Sequence, residues 1–439
     1  MSTDPERRKI AFFGNFGTGN LGNEATLQAM VYNLRKYVPK AEIACICSNP
    51  ENTALTHNIS VFPTRAAFSI RKMLSAWRKN KPGMGNSGAN TSESPRADRQ
   101  FRGLSRLKAP LLETYRWFKG LKTLWGTDAL VVPGTGLLTD AYTLSDWGPY
   151  DMFRWSVTAK LCRCKLFFVS VGAGPIYSRA GRCLAKAALS LADFRSYRDE
   201  STLQYLKSIG FRADNDPVYP DLAFSLPESS IPRGHDRARR RVVVGLGLMG
   251  YAGRYSVERP TSTVYSGYLE TLVEFVTWLL AHEYDVRLLI GDLAYDTSVT
   301  REFRLLLKER SVRHEEERII DQPVASVEDL LSQVAATDLV VATRFHNVLL
   351  SLLLKKPVLA ISFHHKCSSL MRQMGLSEYC QDINHLNSGR LIEQFCQLQQ
   401  SAACVKRMIG EKVNTHRTAL EKQYGIILSA IRTGRQQVL

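Results

Sequence analysis

Two short segments near the end of the chain contain side chains that could bind an anion. One follows the apolar run Leu339–Ala342, and the other follows the apolar run Val358–Ser362. Short apolar runs of this kind are typical of buried strands in a parallel sheet, and ligands bind where such strands end. The potential cations at these two strand ends are Arg344, His346, His364, His365 and Lys366. We therefore expect a cationic crevice that takes an anionic ligand.

The elements that must position this crevice alternate between strand and helix. The pattern begins with a strand at residues 10–13, a helix at residues 24–37 and a strand at Glu42–Cys47. Such alternation is typical of parallel sheets that are covered by helices on both faces. Further strands are predicted at residues 129–132, 166–171, 242–246, 286–290 and 339–342.

The pattern divides into two halves, and we predict an α/β protein with two Rossmann-like domains that face each other across a cleft. Residues 1–226 form the first predicted domain, and residues 242–439 form the second, which ends in helices. The segment between them, residues 227–241, is polar, contains Pro232 and Gly234, and ends in a basic run. This composition is typical of an interdomain linker.

Three loops that follow strands of the first predicted domain are rich in small residues. They are residues 14–25, 134–136 and 172–175. Glycine lets the backbone approach a ligand closely, and the helix N-terminus that follows the first loop offers free N–H groups to an anion. Three such loops at one edge of a sheet predict a binding cleft.

The first of these loops has the dinucleotide spacing G-x-G-x-x-G, starting at Gly17. The acidic residue expected at the end of the second strand is missing from residues 46–49, so a nicotinamide dinucleotide is disfavoured. Asn20, Asn23 and Glu24 could instead bind sugar hydroxyls or carry a proton. The alternative is a helix start, with an Asn as the cap and Glu24 in the favourable first turn.

Composition restricts the class of protein. The chain has 439 residues, 44% of them hydrophobic, and a net charge of +17, which favours anionic partners. The basic residues are dispersed and no nucleic-acid motif is present, so we expect no nucleic acid as a partner. The nine cysteines lack metal-site spacing and predict reduced, mostly buried thiols and no metal. With no visible signal peptide or transmembrane run, we expect a cytoplasmic protein.

An insertion at about residues 66–126 interrupts the first predicted domain. Residues 80–100 lack apolar periodicity and are predicted to be disordered. The flanking residues 65–81 and 107–125 resemble basic amphipathic helices with aromatic side chains. Such helices could lie peripherally on an anionic membrane surface, or they could pack on the first domain with a solvated basic face.

Arg198 follows a short apolar stretch and precedes a predicted helix. It could bind a carboxylate or phosphate with two N–H groups, or it could form an ion pair with Asp199 or Glu200. With this segment included, the order and spacing of several motifs resemble the polysaccharide pyruvyl transferase family over residues of about 10 to 375. The matching segments are residues 14–25, Gly134-Thr135-Gly136 with Asp140, residues 172–175, residues 196–199, Pro220-Asp221, and Arg344-Phe345-His346 followed by Lys366.

The resemblance implies a GT-B-like fold and a reaction. The enolpyruvyl group of phosphoenolpyruvate would move onto two hydroxyls of a sugar, in a polysaccharide or a lipid-linked glycan precursor, and phosphate would be released. Phosphoenolpyruvate is then a co-substrate, and no cofactor is expected. By the same resemblance the donor-binding residues are Arg198, Arg344, His346 and Lys366. Arginine forks suit its carboxylate and phosphate, and Lys supplies a point charge.

The catalytic residues implied by this chemistry are His346, Arg344 and Glu24. His346 suits general acid catalysis because imidazole titrates near neutral pH, although it could only bind phosphate. His364 and His365 are expected in supporting or surface positions. Either Glu24 or Asp140 could be the base that deprotonates the acceptor. The predicted acceptor-binding residues are Asn20, Asn23, Glu24, Gly134, Thr135, Gly136 and Asp140.

One departure and two alternatives accompany this interpretation. The family's first loop usually reads Gly-Asp-Glu-Ala, whereas this chain has Asn23 in place of the Asp. A GT-B glycosyltransferase with a nucleotide-sugar donor is the alternative enzyme, in which Asp292 or Asp321 could hold the ribose hydroxyls. The other alternative is a non-catalytic anion-binding protein.

Overall fold

The computed structural model describes residues 8–65, 97–140, 148–232, 241–250, 262–310 and 316–433. They form two α/β domains, each built on a parallel sheet of six strands. The predicted fold class is therefore confirmed.

The first domain alternates strands and helices, as the sequence predicts. The order of its strands across the sheet is β3-β2-β1-β4-β5-β6. Strands β4 and β5 are apolar and almost wholly buried, because helices cover both faces of the sheet. The elements are β1 Lys9–Gly14, α1 Leu21–Tyr37, β2 Glu42–Cys47, α2 Pro50–His57, β3 Ser60–Pro63, α3 Ala97–Leu124, β4 Ala129–Pro133, α4 Gly148–Leu161, β5 Lys165–Val171, α5 Arg179–Ser190, β6 Phe194–Tyr197 and α6 Glu200–Ser208.

The second domain repeats this topology. Its strand order is β12-β11-β10-β7-β8-β9, so β7 lies between β8 and β10 as β1 lies between β2 and β4. The strand order reverses at these central pairs, which opens a crevice at their carboxyl ends. The elements are β7 Val243–Gly247, α7 Ser262–Ala281, β8 Asp285–Leu289, α8 Asp296–Glu309, β9 Ile319–Ile320, α9 Val327–Ala335, β10 Leu339–Ala342, α10 Phe345–Leu353, β11 Val358–Ser362, α11 His365–Gln373, β12 Cys380–Asp382, α12 Ser388–Gln400 and α13 Ala402–Thr433.

The last helix, α13, returns from the second domain to the first. Gln423 Nε2 donates a hydrogen bond of 2.7 Å to Ser196 Oγ, and the hydroxyls of Tyr424 and Ser225 lie 2.9 Å apart. One apolar core runs from one face of the first sheet into the second domain, and a second core covers the other face. The two domains are therefore joined by side-chain packing as well as by the connecting chain. The last helix of the predicted second domain, residues 242–439, packs against the first domain.

Part of the predicted insertion is described. Residues 107–125 were predicted to be helical, and α3 confirms this to Leu124. The prediction of disorder is wrong for residues 97–100, which begin α3, and its remainder lies outside the described residues, as does nearly all of the predicted helix at 65–81. Among the described helices, none combines the length and apolar character that a bilayer-spanning segment needs.

Candidate active site

A cavity of about 820 Å³ lies between the carboxyl ends of the two sheets. Its size is that of an ordinary small-molecule site. Both domains contribute to its walls. Among the predicted residues, those that line it are Asn20, Asn23, Gly134, Gly136, Arg198, Arg344, His346 and Lys366. The structure thus brings together both cationic strand ends and two of the three glycine loops, whereas residues 172–175 do not line the cavity and Gly172 lies against Arg198.

The first-domain wall is built on the start of α1. Asn20 is the N-cap, and its side chain accepts a hydrogen bond from the Asn23 backbone N–H. Asn23 Nδ2 donates to the carbonyl of Asn15 at 2.9 Å. The helix-cap interpretation therefore holds for Asn20, and both amides also face the cavity. This wall presents neutral hydrogen-bonding groups.

The glycine loop of the first domain touches the second domain directly. Leu21 N donates to Gly291 O at 3.0 Å, and Leu293 N donates to Gly19 O at 2.9 Å. Nearby, Gly22 lies against the ring of His346, and a Cβ added at Gly22 would be 1.8 Å from His346 Nδ1. Only glycine leaves room for the imidazole at this position.

Arg344 is fixed rigidly in the second-domain wall. It is the N-cap residue of α10, and its Nε and Nη2 atoms both donate to the carboxylate of Asp296. Asp296 is fully buried and also accepts hydrogen bonds from the backbone N–H groups of Gly250, Gly291 and Asp292. Arg344 Nη1 lies 3.8 Å from Asp292 Oδ2. The strand-end turn therefore orients one guanidinium toward the cavity.

Arg198 reaches the same cavity from the end of β6. Its Nη1 donates to Asp221 Oδ2 at 3.1 Å, and its guanidinium carbon lies 4.5 Å from the centre of the Phe345 ring. A Cβ at Gly172 would come within 2.7 Å of Arg198 Nη2. Arg198 Nε and Nη2 are buried and have no hydrogen-bond partner among the described residues. Nε also lies 3.6 Å from Asp199 Oδ2, so the ion pair considered in the sequence analysis is present, while both N–H groups keep hydrogen-bonding capacity for an anion.

His346 is placed for anion binding or proton transfer. Its Nε2 is buried, has no hydrogen-bond partner in the described part of the chain, and lies 4.0 Å from Asp221 Oδ2. Burial lowers the pKa of His346 to about 4; Asp221 opposes this shift, while Arg198 and the other nearby cations add to it. With this pKa the imidazole is neutral at pH 7. A bound dianion would raise this pKa again.

Lys366 stands at the start of α11. Burial lowers the pKa of Lys366 to about 7, and Arg198 adds to this shift while Asp199 and Asp221 oppose it. His364 lines the cavity but caps α11, accepting a hydrogen bond from Lys366 N, whereas His365 is exposed. His364 therefore has a supporting position and His365 a surface position, as the sequence predicts.

Three predicted residues do not line the cavity. Glu24 is buried, and its two carboxylate oxygens contact Gly17 N at 2.7 Å and His57 Nε2 at 2.8 Å. Asp140 accepts hydrogen bonds from the backbone and hydroxyl of Ser178, among others. Thr135 is buried beneath the loop. Glu24 and Asp140 therefore hold loops together, and the structure does not bring them to the donor cations.

Sequence reasoning missed two carboxylates as candidate bases. Asp292 and Asp151 both line the cavity and are buried. Asp151 is paired with Arg65 at 2.6 Å and with Arg154 at 3.3 Å. Asp292 comes shortly after β8, so the same strand-end signal that indicated Arg344 could have found it. Among the described residues, no group of His, Cys, Asp or Glu could hold a metal ion.

The fold and the cleft together define a class: a two-domain protein of GT-B-like architecture with a cavity lined by cations between its domains. A glycosyltransferase from Rickettsia africae has a TM-score of 0.55 and 10% identity, over 98% of this chain and 100% of that one. UDP-GlcNAc 2-epimerase from Methanocaldococcus jannaschii has a TM-score of 0.51 and 11% identity, over 89% of this chain and 91% of that one. At such low identity these likenesses show the fold alone.

The family is shown by sequence. The model of the polysaccharide pyruvyl transferase family matches residues 20–365, and the chain belongs to this family. Amylovoran biosynthesis protein AmsJ from Erwinia amylovora is 21% identical over 431 residues, which cover 92% of this chain and 98% of AmsJ. The predicted family is thereby confirmed. Membership makes the protein a transferase enzyme, and it implies a sugar or glycan acceptor.

Proposed function

We propose that this enzyme transfers the enolpyruvyl group of phosphoenolpyruvate to two hydroxyls of a sugar, forms a cyclic pyruvate ketal and releases phosphate. The observation that carries the proposal is the convergence of Arg198, Arg344, His346 and Lys366 on one cavity. Phosphoenolpyruvate has a carboxylate and a phosphate close together. Arg198 has two buried N–H groups without a hydrogen-bond partner among the described residues, and a bound carboxylate or phosphate would satisfy them.

The reaction needs two proton transfers and one leaving group. The first hydroxyl oxygen bonds to C2 of phosphoenolpyruvate while the methylene carbon gains a proton and becomes a methyl group. The bond from C2 to the phosphate oxygen then breaks, and the second hydroxyl oxygen takes its place. Of the two protons that leave the acceptor, one balances the proton on the methyl group and the other balances the proton on phosphate.

His346 and Lys366 are the groups that supply this chemistry with protons and positive charge. The donor's negative charge raises the pKa of His346 from about 4 toward the range where it protonates the methylene carbon. Lys366 and Arg344 stabilise the departing phosphate, as fixed cations do for developing negative charge in a buried site.

The alternative nucleotide-sugar donor is less well supported. Of the two carboxylates that could hold a ribose, Asp321 lies outside the main cavity and pairs with Arg304 at 3.0 Å. Asp292 does line the cavity and has acceptor capacity for a hydroxyl, so the binding of the two donors has to be compared directly.

Ligand-induced stabilisation separates the two donors. Phosphoenolpyruvate should raise the melting temperature of the purified protein and UDP-sugars should not, because a ligand that binds only the folded state stabilises it. Arg198→Ala should abolish this rise, and Arg195→Ala is a matched control, since Arg195 pairs with Asp216 outside the cavity. Stabilisation by a UDP-sugar alone would favour the glycosyltransferase.

We also propose that the enzyme acts on a lipid-linked acceptor at an anionic membrane surface. One face of α3 packs on α4, where Trp117 Nε1 donates to Tyr150 OH at 3.3 Å. The opposite face carries Leu111 and Phe118, and Trp125 follows directly after the helix at the same seven-residue spacing; their exposed fractions are 69%, 64% and 79%. We call this face the aromatic stripe. Its spacing and exposure suit burial in a bilayer interface.

The charge beside the aromatic stripe and the position of the stripe both support an anionic membrane as its binding partner. Lys119 and Lys122 are exposed beside the aromatic stripe, as anionic lipid requires. The first turn of α4, against which α3 packs, contributes Gly148 and Asp151 to the cavity wall. A membrane that meets the stripe is therefore close to the acceptor side of the site.

Vesicle sedimentation tests this surface. The protein should pellet with phosphatidylglycerol vesicles and remain free with phosphatidylcholine vesicles. Lys119→Glu/Lys122→Glu should release it, and Arg301→Glu/Lys308→Glu on α8 makes the same charge change on exposed residues elsewhere. If both double variants lost vesicle binding equally, the binding would depend on the net charge of the protein and not on α3. Binding that survives the α3 change would remove the stripe from the proposal.

A further inference from the structure

The reaction needs a base for the acceptor hydroxyl, and the predicted candidates Glu24 and Asp140 do not line the cavity. Among the described residues, the acidic side chains that do are Asp151 and Asp292. Asp151 forms ion pairs with two arginines, Arg65 and Arg154, in the first-domain wall of the cavity. Asp292 instead lies beside the donor cation Arg344. Asp151 and Asp292 therefore differ in their distance from the donor cations and in the hydrogen-bonding capacity that their carboxylates keep.

Asp292 lies where the two walls of the site meet. Its Oδ2 accepts a hydrogen bond from Asn20 Nδ2 at 3.1 Å, and Arg344 Nη1 is 3.8 Å away. Asn20 caps α1, and Gly22, two residues later, lies against the ring of His346. The carboxylate thus contacts the N-cap of α1 and the imidazole contacts its first turn, and both side chains line the cavity that Arg344 also lines.

A comparison with Asp296 separates a structural carboxylate from a reactive one. Asp296 is fully buried, does not line the cavity, and receives hydrogen bonds from three backbone N–H groups and from Arg344. Asp292 receives hydrogen bonds from Ala294 N and Asn20 Nδ2. A carboxylate has about four acceptor positions, so Asp292 retains capacity for a substrate hydroxyl.

We propose that Asp292 is the general base that deprotonates the acceptor hydroxyl attacking C2 of phosphoenolpyruvate. The hydroxyl proton passes to a carboxylate oxygen of Asp292 as the new C–O bond forms, and the methylene carbon is protonated by His346. The carboxyl group returns its proton to the departing phosphate and then accepts the proton of the second hydroxyl, which replaces, through solvent, the proton that His346 gave up. This inference rests on the proposed function and adds the residue that activates the acceptor.

The geometry has a consequence for the pH dependence of turnover. Burial raises the pKa of Asp292, and Asp296 adds to that shift, while Arg344 and the Asn20 amide oppose it. A general base works only when deprotonated, so kcat should fall as the pH drops through the pKa of Asp292. Removing the Asn20 amide should raise this pKa and move the acidic limb of the kcat profile to higher pH.

Steady-state kinetics and donor binding, measured on the full chain, test the assignment. Asp292→Asn should lower kcat by about 100-fold or more, while the Kd for phosphoenolpyruvate stays within about threefold of wild type. Asp296→Asn is the control for a positioning role, and it should weaken phosphoenolpyruvate binding because Arg344 loses its fixed partner. An Asp292→Asn enzyme with wild-type kcat, or with the donor-binding defect of Asp296→Asn, would overturn the proposal.

Asn20→Ser gives a second test that does not require removal of the carboxylate. Serine keeps the helix cap but is too short to replace the amide contact with Asp292. We expect the acidic limb of kcat to move to higher pH, and an unmoved limb would contradict the role of Asp292. A wild-type protein that releases no phosphate from phosphoenolpyruvate with any sugar acceptor would overturn the proposed function itself, and the role of Asp292 with it.

Discussion

The two walls of the cleft have the same topology and opposite chemistry. In the first domain most of the strand ends carry small and neutral residues, such as Asn15, Gly134 and Gly136, and the charged Arg65 and Asp151 are paired with each other. In the second domain the corresponding edge carries Arg344 and His346, joined by Lys366. In the proposed function, the first wall binds a neutral polyol and the second binds a small anion. The same fold can serve as acceptor side and donor side because function depends on the residues at the strand ends and not on the sheet.

Arg198 is the exception that links the walls. It belongs to the first domain, yet its guanidinium lies over Phe345 of the second. The proposed donor site is therefore complete only when the domains are in contact. Substitutions on the two walls should separate into those that remove the chemistry and those that alter acceptor use.

The largest effect is expected on the donor wall. His346→Ala should lower kcat by about 10²–10⁴-fold, because a positioned proton donor contributes that much. His365→Ala is a matched control at an exposed histidine nearby, and its kcat should stay within about twofold of wild type. Steady-state phosphate release measures both. Similar rates for His346→Ala and wild type would show that the imidazole does not take part in proton transfer.

The next effect tests the contact between the walls. Gly22→Ala places a methyl group where the His346 ring lies, so the imidazole must move, and a displacement of about 1 Å can cost about 100-fold in rate. Gly267→Ala, on α7, is the control, because a Cβ there meets no atom within 4 Å. The turnover rates of both variants measure the effect on activity, and their melting temperatures show whether the fold is kept. Undiminished activity in Gly22→Ala would mean that the position of His346 is not critical.

A smaller effect follows from the charge state of Lys366. Its pKa of about 7 means that it loses its charge as the pH rises above neutrality, so donor affinity should fall over the same range. Lys366→Arg stays charged and should weaken this dependence, by about tenfold in Kd at pH 9 relative to wild type. Calorimetric titration with phosphoenolpyruvate from pH 6 to 9 measures it. Parallel pH profiles in the two proteins would exclude Lys366 as the titrating group.

The smallest effect is expected on the acceptor wall. Asn23→Asp removes the hydrogen bond from Nδ2 to Asn15 O and puts negative charge in a neutral wall. We expect a change of about two- to fivefold in the acceptor KM, with the Kd for phosphoenolpyruvate unchanged, since uniform binding alters KM alone. Kinetics with varied acceptor and direct donor binding separate the two quantities. A main effect on donor affinity would break the division between the walls.

Much of the fold and of the donor wall could be predicted from the sequence. Buried strands such as Leu339–Ala342 are apolar and short, and the cations that follow them must lie at the carboxyl edge of the sheet. What could not be predicted depends on contacts between distant segments. The sequence predicts Glu24 as a base at a helix start, but its carboxylate is hydrogen-bonded to His57 on α2.

The same reason explains why Asp292 was assigned only to the alternative enzyme. Its contact with Asn20 joins residues 272 positions apart in the sequence, across two domains. No local pattern contains that information. Strand-end position narrows the candidate residues, and the packing of the domains decides which of them reach the substrate.

The central claim is that the cationic wall holds phosphoenolpyruvate for transfer to a sugar. The most direct measurement follows phosphate release and the fate of carbon-labelled phosphoenolpyruvate with a panel of glycan precursors. We predict that release depends on the acceptor and that one labelled pyruvate group enters the sugar for each phosphate released. Phosphate release at the same rate without an acceptor, or a sugar product that carries no label, would contradict the account.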